Sequence, residues 1–113
     1  MDPIKYLLSI PSQKIKFGLS RTYKLLELCG NPQKKITSLQ IVGTNGKGST
    51  SAFIVNILKQ SKYKVGWYTS PHLVRINERI RINFKNITNR DINIFLNLYK
   101  KDIEKTKATF FEI

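Results

Sequence analysis

At 113 residues the chain is long enough for one small domain with a modest core. Its composition, 41% hydrophobic and 11% aromatic, is that of a packed globular protein and excludes a disordered one. The formal net charge of +13 leaves two readings open. A basic surface of this size could bind nucleic acid. The lysines are spread along the chain, however, with no basic arm and no RGG, zinc-finger or RNP-type motif. The plainer reading is a solvated surface whose field also favours an anionic small molecule. No apolar run approaches the ~20 residues of a membrane span. No signal-peptide pattern opens the chain. Cys29 is the single cysteine and can form no internal disulfide, which fits a cytoplasmic protein.

Asp2 as a cap and Pro3 at the first helical position predict a short helix over residues 2–10, stopped by Pro11. Residues 12–18 read as a basic link. Ser20 caps a second predicted helix over residues 20–29, with Tyr23, Leu25, Leu26 and Leu28 as its apolar face. Gly30-Asn31-Pro32 ends it. Residues 36–42 supply a first strand with Gly43 as its exit. Residues 49–60 place Phe53, Ile54, Ile57 and Leu58 at helical spacing, and residues 63–69 read as a second strand. Strand, helix, strand in about thirty residues predicts a parallel βαβ unit with a right-handed crossover. Ligands in such sheets bind beyond the carboxyl ends of strands. The glycine-rich segment after residue 42 and Ser70-Pro71-His72 should therefore face one crevice.

Residues 73–78 show no clear period and read as a loop, and Asn77-Glu78-Arg79 as a surface loop with a local ion pair. Residues 79–84 alternate polar and apolar, as in a half-exposed strand or ribbon. Thr88, with Asp91 as its partner, caps a further helix whose apolar positions are Ile92, Phe95, Leu96, Tyr99 and Ile103. Thr109 and Glu112 stand at capping-box spacing, so another helix should begin just where Ile113 closes the sequence. Two parallel strands with helices also make too small a sheet to cover both faces. The expectation is an α/β fold: a partial, truncated P-loop domain with a parallel βαβ core and N-terminal helices, residues 1–113 forming its N-terminal part.

The functional signal is concentrated in Gly43, Thr44, Asn45, Gly46, Lys47, Gly48, Ser49 and Thr50. Glycines let backbone N–H groups turn toward a ligand without a Cβ in the way. The helix that follows offers unpaired N–H groups and the positive end of its dipole. Lys47 adds a mobile full charge. The natural guest is a nucleotide polyphosphate. The strict P-loop pattern of a glycine, four residues and Gly-Lys-Ser/Thr does not hold. Ile41 stands where the first glycine belongs, and Gly48 separates Lys47 from Ser49.

The variant Gly-Thr-Asn-Gly-Lys-Gly-Ser-Thr resembles the ATP loop of the Mur ligase superfamily, and within it the folylpolyglutamate synthase/dihydrofolate synthase branch, which the glycine after the lysine marks. Residues 68–80 resemble that family's second signature. Phe17-Gly18-Leu19-Ser20-Arg21 resembles its G-L-x-R segment, and Thr109-Phe110-Phe111-Glu112 its T-x-F-E segment.

The resemblance implies an ATP-dependent ligase that joins glutamate to dihydropteroate or to a folate (poly)glutamate through an acyl phosphate. Lys47 would act on the β/γ-phosphates of ATP, with residues 43–50 as the phosphate loop. Ser70 matches a Mg2+ ligand. Lys16, Phe17 and Gly18 fall where the family contacts the pterin, Lys16 being a departure in its charge. Thr109, Phe110, Phe111 and Glu112 match a second pterin-contacting segment. Plainer roles stand beside these: strand-end cap for Ser70, core packing for Phe110 and Phe111, capping carboxylate for Glu112, ordinary loop residue for His72. The family's remaining metal ligands and its glutamate-binding domain have no counterpart in these residues, so the chain alone should be inactive. The full-length form should be a cytoplasmic monomer with small-molecule partners, no specific nucleic acid and no membrane. The alternative is a stand-alone basic module that binds nucleotides or nucleic acid.

Overall fold

The computed structural model describes residues 2–11 and 17–113. In chain order the elements are α1 (Pro3–Ser9), α2 (Ser20–Leu28), a 3-10 turn (Pro32–Lys35), α3 (Lys47–Gln60), β1 (Gly66–Tyr68), a 3-10 turn (Ile76–Arg79), β2 (Ile80–Ile82), β3 (Lys85–Asn86) and α4 (Asn89–Thr106). They form two compact units, Met1–Ser38 with Asn89–Ile113, and Leu39–Thr88.

The first unit is helical. The Asp2 carboxylate accepts from the Ile4 N–H at 3.1 Å and Pro3 occupies the first turn of α1. Ser20 is the first helical residue of α2 and not its cap. The carbonyl of Leu19 already takes the first helical bond, from Tyr23 N–H at 2.9 Å, so the helix begins one residue earlier than a serine cap requires. Gly30 (φ 82°) and Asn31 (φ 52°) close α2, as the Gly-Asn-Pro signal predicts. Ile92, Leu96 and Ile103 form the buried stripe of α4, and α1 and α2 pack on it through Leu7 and Leu25. The buried Thr106 hydroxyl donates to the Asp102 carbonyl at 2.8 Å, which removes the cost of burying it.

The second unit packs α3 on a small sheet of order β1-β2-β3, both pairings antiparallel, with Trp67 opposite Arg81 and Ile82 opposite Lys85. Asn83 and Phe84, both at positive φ, make the two-residue turn between β2 and β3. The Trp67 ring meets Phe84 edge-on at 5.5 Å, with the Arg81 guanidinium 4.9 Å above it, while α3 contributes buried Val55 and Lys59 over Phe84.

The parallel pairing expected between residues 36–42 and 63–69 does not form among the described residues; β1 pairs with β2 alone, and their short connection makes that pair antiparallel. Residues 36–42 carry no strand assignment and pair with nothing among the described residues, leaving Leu39 and Val42 exposed. A strand exists only through a partner's hydrogen bonds. The α/β class itself stands. Two boundaries also shift: the central helix starts at Lys47, inside the glycine loop, and the second strand contracts to Gly66–Tyr68. At the chain's end a single turn forms, with Glu112 and Ile113 N–H donating to the Thr109 carbonyl.

Candidate phosphate-binding site

Residues 42–50 are exposed along their whole length. Gly46 adopts φ 74°, a conformation that costs a residue with a Cβ, and it caps α3 without any side chain. The first-turn N–H groups of α3 therefore have neither an intrahelical carbonyl nor a capping oxygen. They and the helix dipole face the loop's open side. The Lys47 ammonium does not extend into solvent. It folds back four residues to donate to the Gly43 carbonyl at 2.5 Å, which holds the charge over the loop.

Gly48 is the informative glycine. A Cβ there would meet no atom within 4 Å, and its φ is not positive. Nothing within the described chain requires glycine at this position. The space a side chain would fill lies against the helix N-terminus, where a phosphate would need to approach the backbone closely.

A hydrogen-bonded chain links this loop to β1. Trp67 Nε1–H donates to Ser51 Oγ at 3.0 Å, and Ser51 Oγ donates to the Gly48 carbonyl at 2.9 Å. The end of β1 is thus fixed to the first turns of α3, with Ser70 three residues beyond Trp67. The Ser70 hydroxyl is exposed and makes no hydrogen bond among the described residues. A free hydroxyl is a hard oxygen donor of the kind Mg2+ accepts beside phosphate oxygens and water. The described residues hold no cluster of three or more His, Cys, Asp or Glu.

Loop 69–79, which follows, contains what the sequence did not disclose. The Glu78 carboxylate accepts three consecutive backbone N–H groups: Leu73 at 2.9 Å, Val74 at 2.9 Å and Arg75 at 2.7 Å. Those bonds hold its pKa below the usual carboxylate value. His72 accepts through Nδ1 from Arg79 Nε at 2.7 Å, an ordinary loop role. Glu78 sits at the third position of the turn that Arg75 opens, a capping-box placement that could have revealed it.

The residues expected at the pterin belong to the helical unit, apart from Lys16, which lies outside the described residues. Phe17 is 94% exposed and Gly18 takes φ 91°. Phe110 and Phe111 pack edge-to-face at 5.3 Å. Glu112 accepts from Thr109 N–H at 2.8 Å and pairs with Arg21 at 3.1 Å. Burial pushes its carboxyl up, but Thr109 and Arg21 outweigh that and hold it below the usual range. An open cavity of ≈ 250 Å³ lies against Thr109, lined also by Tyr6, Ile10 and Lys107.

The exposed glycine loop opens α3, and Trp67 of β1 is tied to that helix through Ser51, within a partial domain of Mur-ligase-like fold. No family model matches the chain. It is 40% identical over 95 residues to dihydrofolate synthase/folylpolyglutamate synthase of Bacillus subtilis, covering 84% of this chain and 22% of that protein. It is 45% identical over 101 residues to dihydrofolate synthetase of Saccharomyces cerevisiae, covering 88% and 24%. Folylpolyglutamate synthetase from Lactobacillus casei superposes with a TM-score of 0.87 at 32% identity, over 97% of this chain and 29% of that one. An FPGS–AMPPCP–folate complex superposes at 0.86 and 32% identity, over 97% and 28%. The chain is a homologue of the N-terminal portion of the folylpolyglutamate synthase/dihydrofolate synthase family. It spans about a quarter of the length of the curated relatives it matches.

Proposed function

We propose that this chain binds the polyphosphate of ATP and serves, within a larger enzyme of this family, in ATP-dependent addition of glutamate to dihydropteroate or to a folate (poly)glutamate. The observation that carries the reading is the ligand-accessible loop 43–50, where uncapped amides, a glycine with no internal reason to be glycine and a folded-back lysine converge. Its likeness to a synthase complex with AMPPCP and folate supports the choice of guest.

The chemistry is an acyl transfer in two displacements. A substrate carboxylate oxygen attacks the γ-phosphorus of ATP and ADP leaves, giving an acyl phosphate. The glutamate amine then attacks the acyl carbon, phosphate leaves, and the nitrogen loses a proton as the amide forms. In this scheme Lys47 moves from the Gly43 carbonyl to the β/γ-oxygens, and the α3 amides hold the remaining charge. Ser70 would supply one oxygen to Mg2+, and the ion would neutralise further phosphate charge. Phe17, Gly18, Thr109, Phe110 and Phe111 offer backbone and ring surface to a flat pterin. Glu112, paired with Arg21, holds that segment in shape.

Two measurements test this. ATP should bind saturably, compete with AMPPCP, and resist displacement by polynucleotide at physiological salt. Polynucleotide binding that is tight, salt-sensitive and indifferent to ATP would instead favour the nucleic-acid module. The chain by itself should catalyse no ligation, and steady ATP- and glutamate-dependent turnover by these 113 residues would overturn that part.

A further inference from the structure

Loop 69–79 is closed at its base and clamped from within. Thr69 N–H donates to the Arg79 carbonyl at 2.9 Å, extending the β1–β2 ladder by one rung, and the Thr69 hydroxyl reaches the Glu78 carbonyl at 3.4 Å. The turn that bears Glu78 is fixed to the sheet in its own right, since Asn77 Nδ2 donates to the Ile87 carbonyl at 2.8 Å and Ile87 N–H to the Ile80 carbonyl at 2.9 Å. From this anchored turn the carboxylate reaches across the loop to three successive amides, 73 to 75. The clamped segment presents Leu73 and Val74 almost wholly to solvent, at 92% and 81% exposure. Apolar burial therefore does not hold this loop in place. Hydrogen bonds do: three to the Glu78 carboxylate, and one from Arg79 Nε to His72 Nδ1 at 2.7 Å.

Ser70 lies between the two fixed points, one residue from the base at Thr69 and three from the first clamped amide. Its backbone path has little freedom while both ends are held. We propose that Glu78 is a positioning residue for Ser70: by pinning amides 73–75 it sets where the Ser70 hydroxyl stands at the end of β1, and so the strength with which a nucleotide-bound Mg2+ is held. The inference rests on the reading of Ser70 as a metal ligand. Groups that orient a ligand without touching the metal typically change metal affinity by about 10- to 100-fold when removed.

The test uses the full 113-residue chain. ATP affinity is measured by calorimetry with Mg2+ and with EDTA, for the parent chain, Glu78→Gln and Ser70→Ala. Glutamine keeps one acceptor oxygen and turns an NH2 toward backbone donors, so it cannot hold all three amides. The expected result is that both variants lose about tenfold of the Mg2+-dependent gain in affinity while their EDTA affinity is unchanged. Amide exchange at residues 73–75 should quicken in Glu78→Gln alone. If Ser70→Ala loses the Mg2+ gain and Glu78→Gln keeps it, the positioning role is overturned and the metal-ligand reading stands. If Ser70→Ala keeps the gain, the metal-ligand reading fails and the proposal falls with it. Equal loss with and without Mg2+ in Glu78→Gln would make Glu78 a general support of the unit, which also overturns the proposal.

Discussion

Single residues carry the strongest arguments, and Gly48 is the most direct. Glycine inside a helix costs up to about 1 kcal/mol relative to alanine. Here no packing contact and no positive φ repays that cost. Gly48→Ala is therefore expected to raise the chain's unfolding free energy by about 0.5–1 kcal/mol in urea. It is also expected to weaken ATP binding by about tenfold, near 1.4 kcal/mol. A variant that is both less stable and equally tight for ATP would mean the glycine serves the fold. Glu112 gives a second residue-level expectation. Its folded carboxyl is held below the ordinary value of about 4.3. Its contribution is fully present above that value and is lost as pH falls through the lower folded value. Stability measured between about pH 7 and pH 3 should fall less steeply in Glu112→Gln than in the parent chain, because Gln cannot titrate.

At the scale of elements, what could be read in the sequence was what is decided locally. Asp2-Pro3, Gly30-Asn31-Pro32 and the spacing of Ile92, Leu96 and Ile103 each fix their own structure within a few residues, and the elements follow them. The turn at Thr109 is local in the same way, with Glu112 closing back on the Thr109 N–H as its spacing implies. Strand pairing is not local. Residues 36–42 have strand composition, yet whether they form a strand depends on partners the residues themselves do not specify. The Arg21–Glu112 pair spans 91 positions and leaves no periodic trace. Glu78 stands three residues after Arg75, where a capping box accounts for one amide, but its bonds to Leu73 and Val74 depend on how the loop turns. The Trp67–Ser51–Gly48 chain lies between these extremes, for a tryptophan near a strand end signals packing while its N–H partner is set by tertiary contact. Trp67→Phe keeps most of the ring and loses that donor. It should destabilise the chain by about 1 kcal/mol in a denaturant titration, and an unchanged midpoint would show that the link between β1 and α3 is carried by apolar contact alone.

For the whole molecule, the candidate site residues fall into two groups. The phosphate loop and Ser70 lie in the unit built on α3 and the antiparallel sheet, while the described residues expected at the pterin lie in the helical unit. The buried side chains among the described residues lie in the helical unit, apart from Val55 of α3. The net charge of +13 lends any polyanion a general attraction, and that attraction is screened by salt. A specific site must outlast the screening. The most direct measurement is therefore the affinity of ATP for the chain and for Lys47→Ala, both at physiological salt. Removing one of the chain's many positive charges barely alters the general field, whereas removing the ammonium held over the loop deletes a charge-assisted contact. The expected result is saturable binding weakened by about 10- to 100-fold in Lys47→Ala, the equivalent of roughly 1.5–3 kcal/mol. Equal affinity in the two chains, or no saturable binding in either, would contradict the account of loop 43–50 as a nucleotide phosphate site.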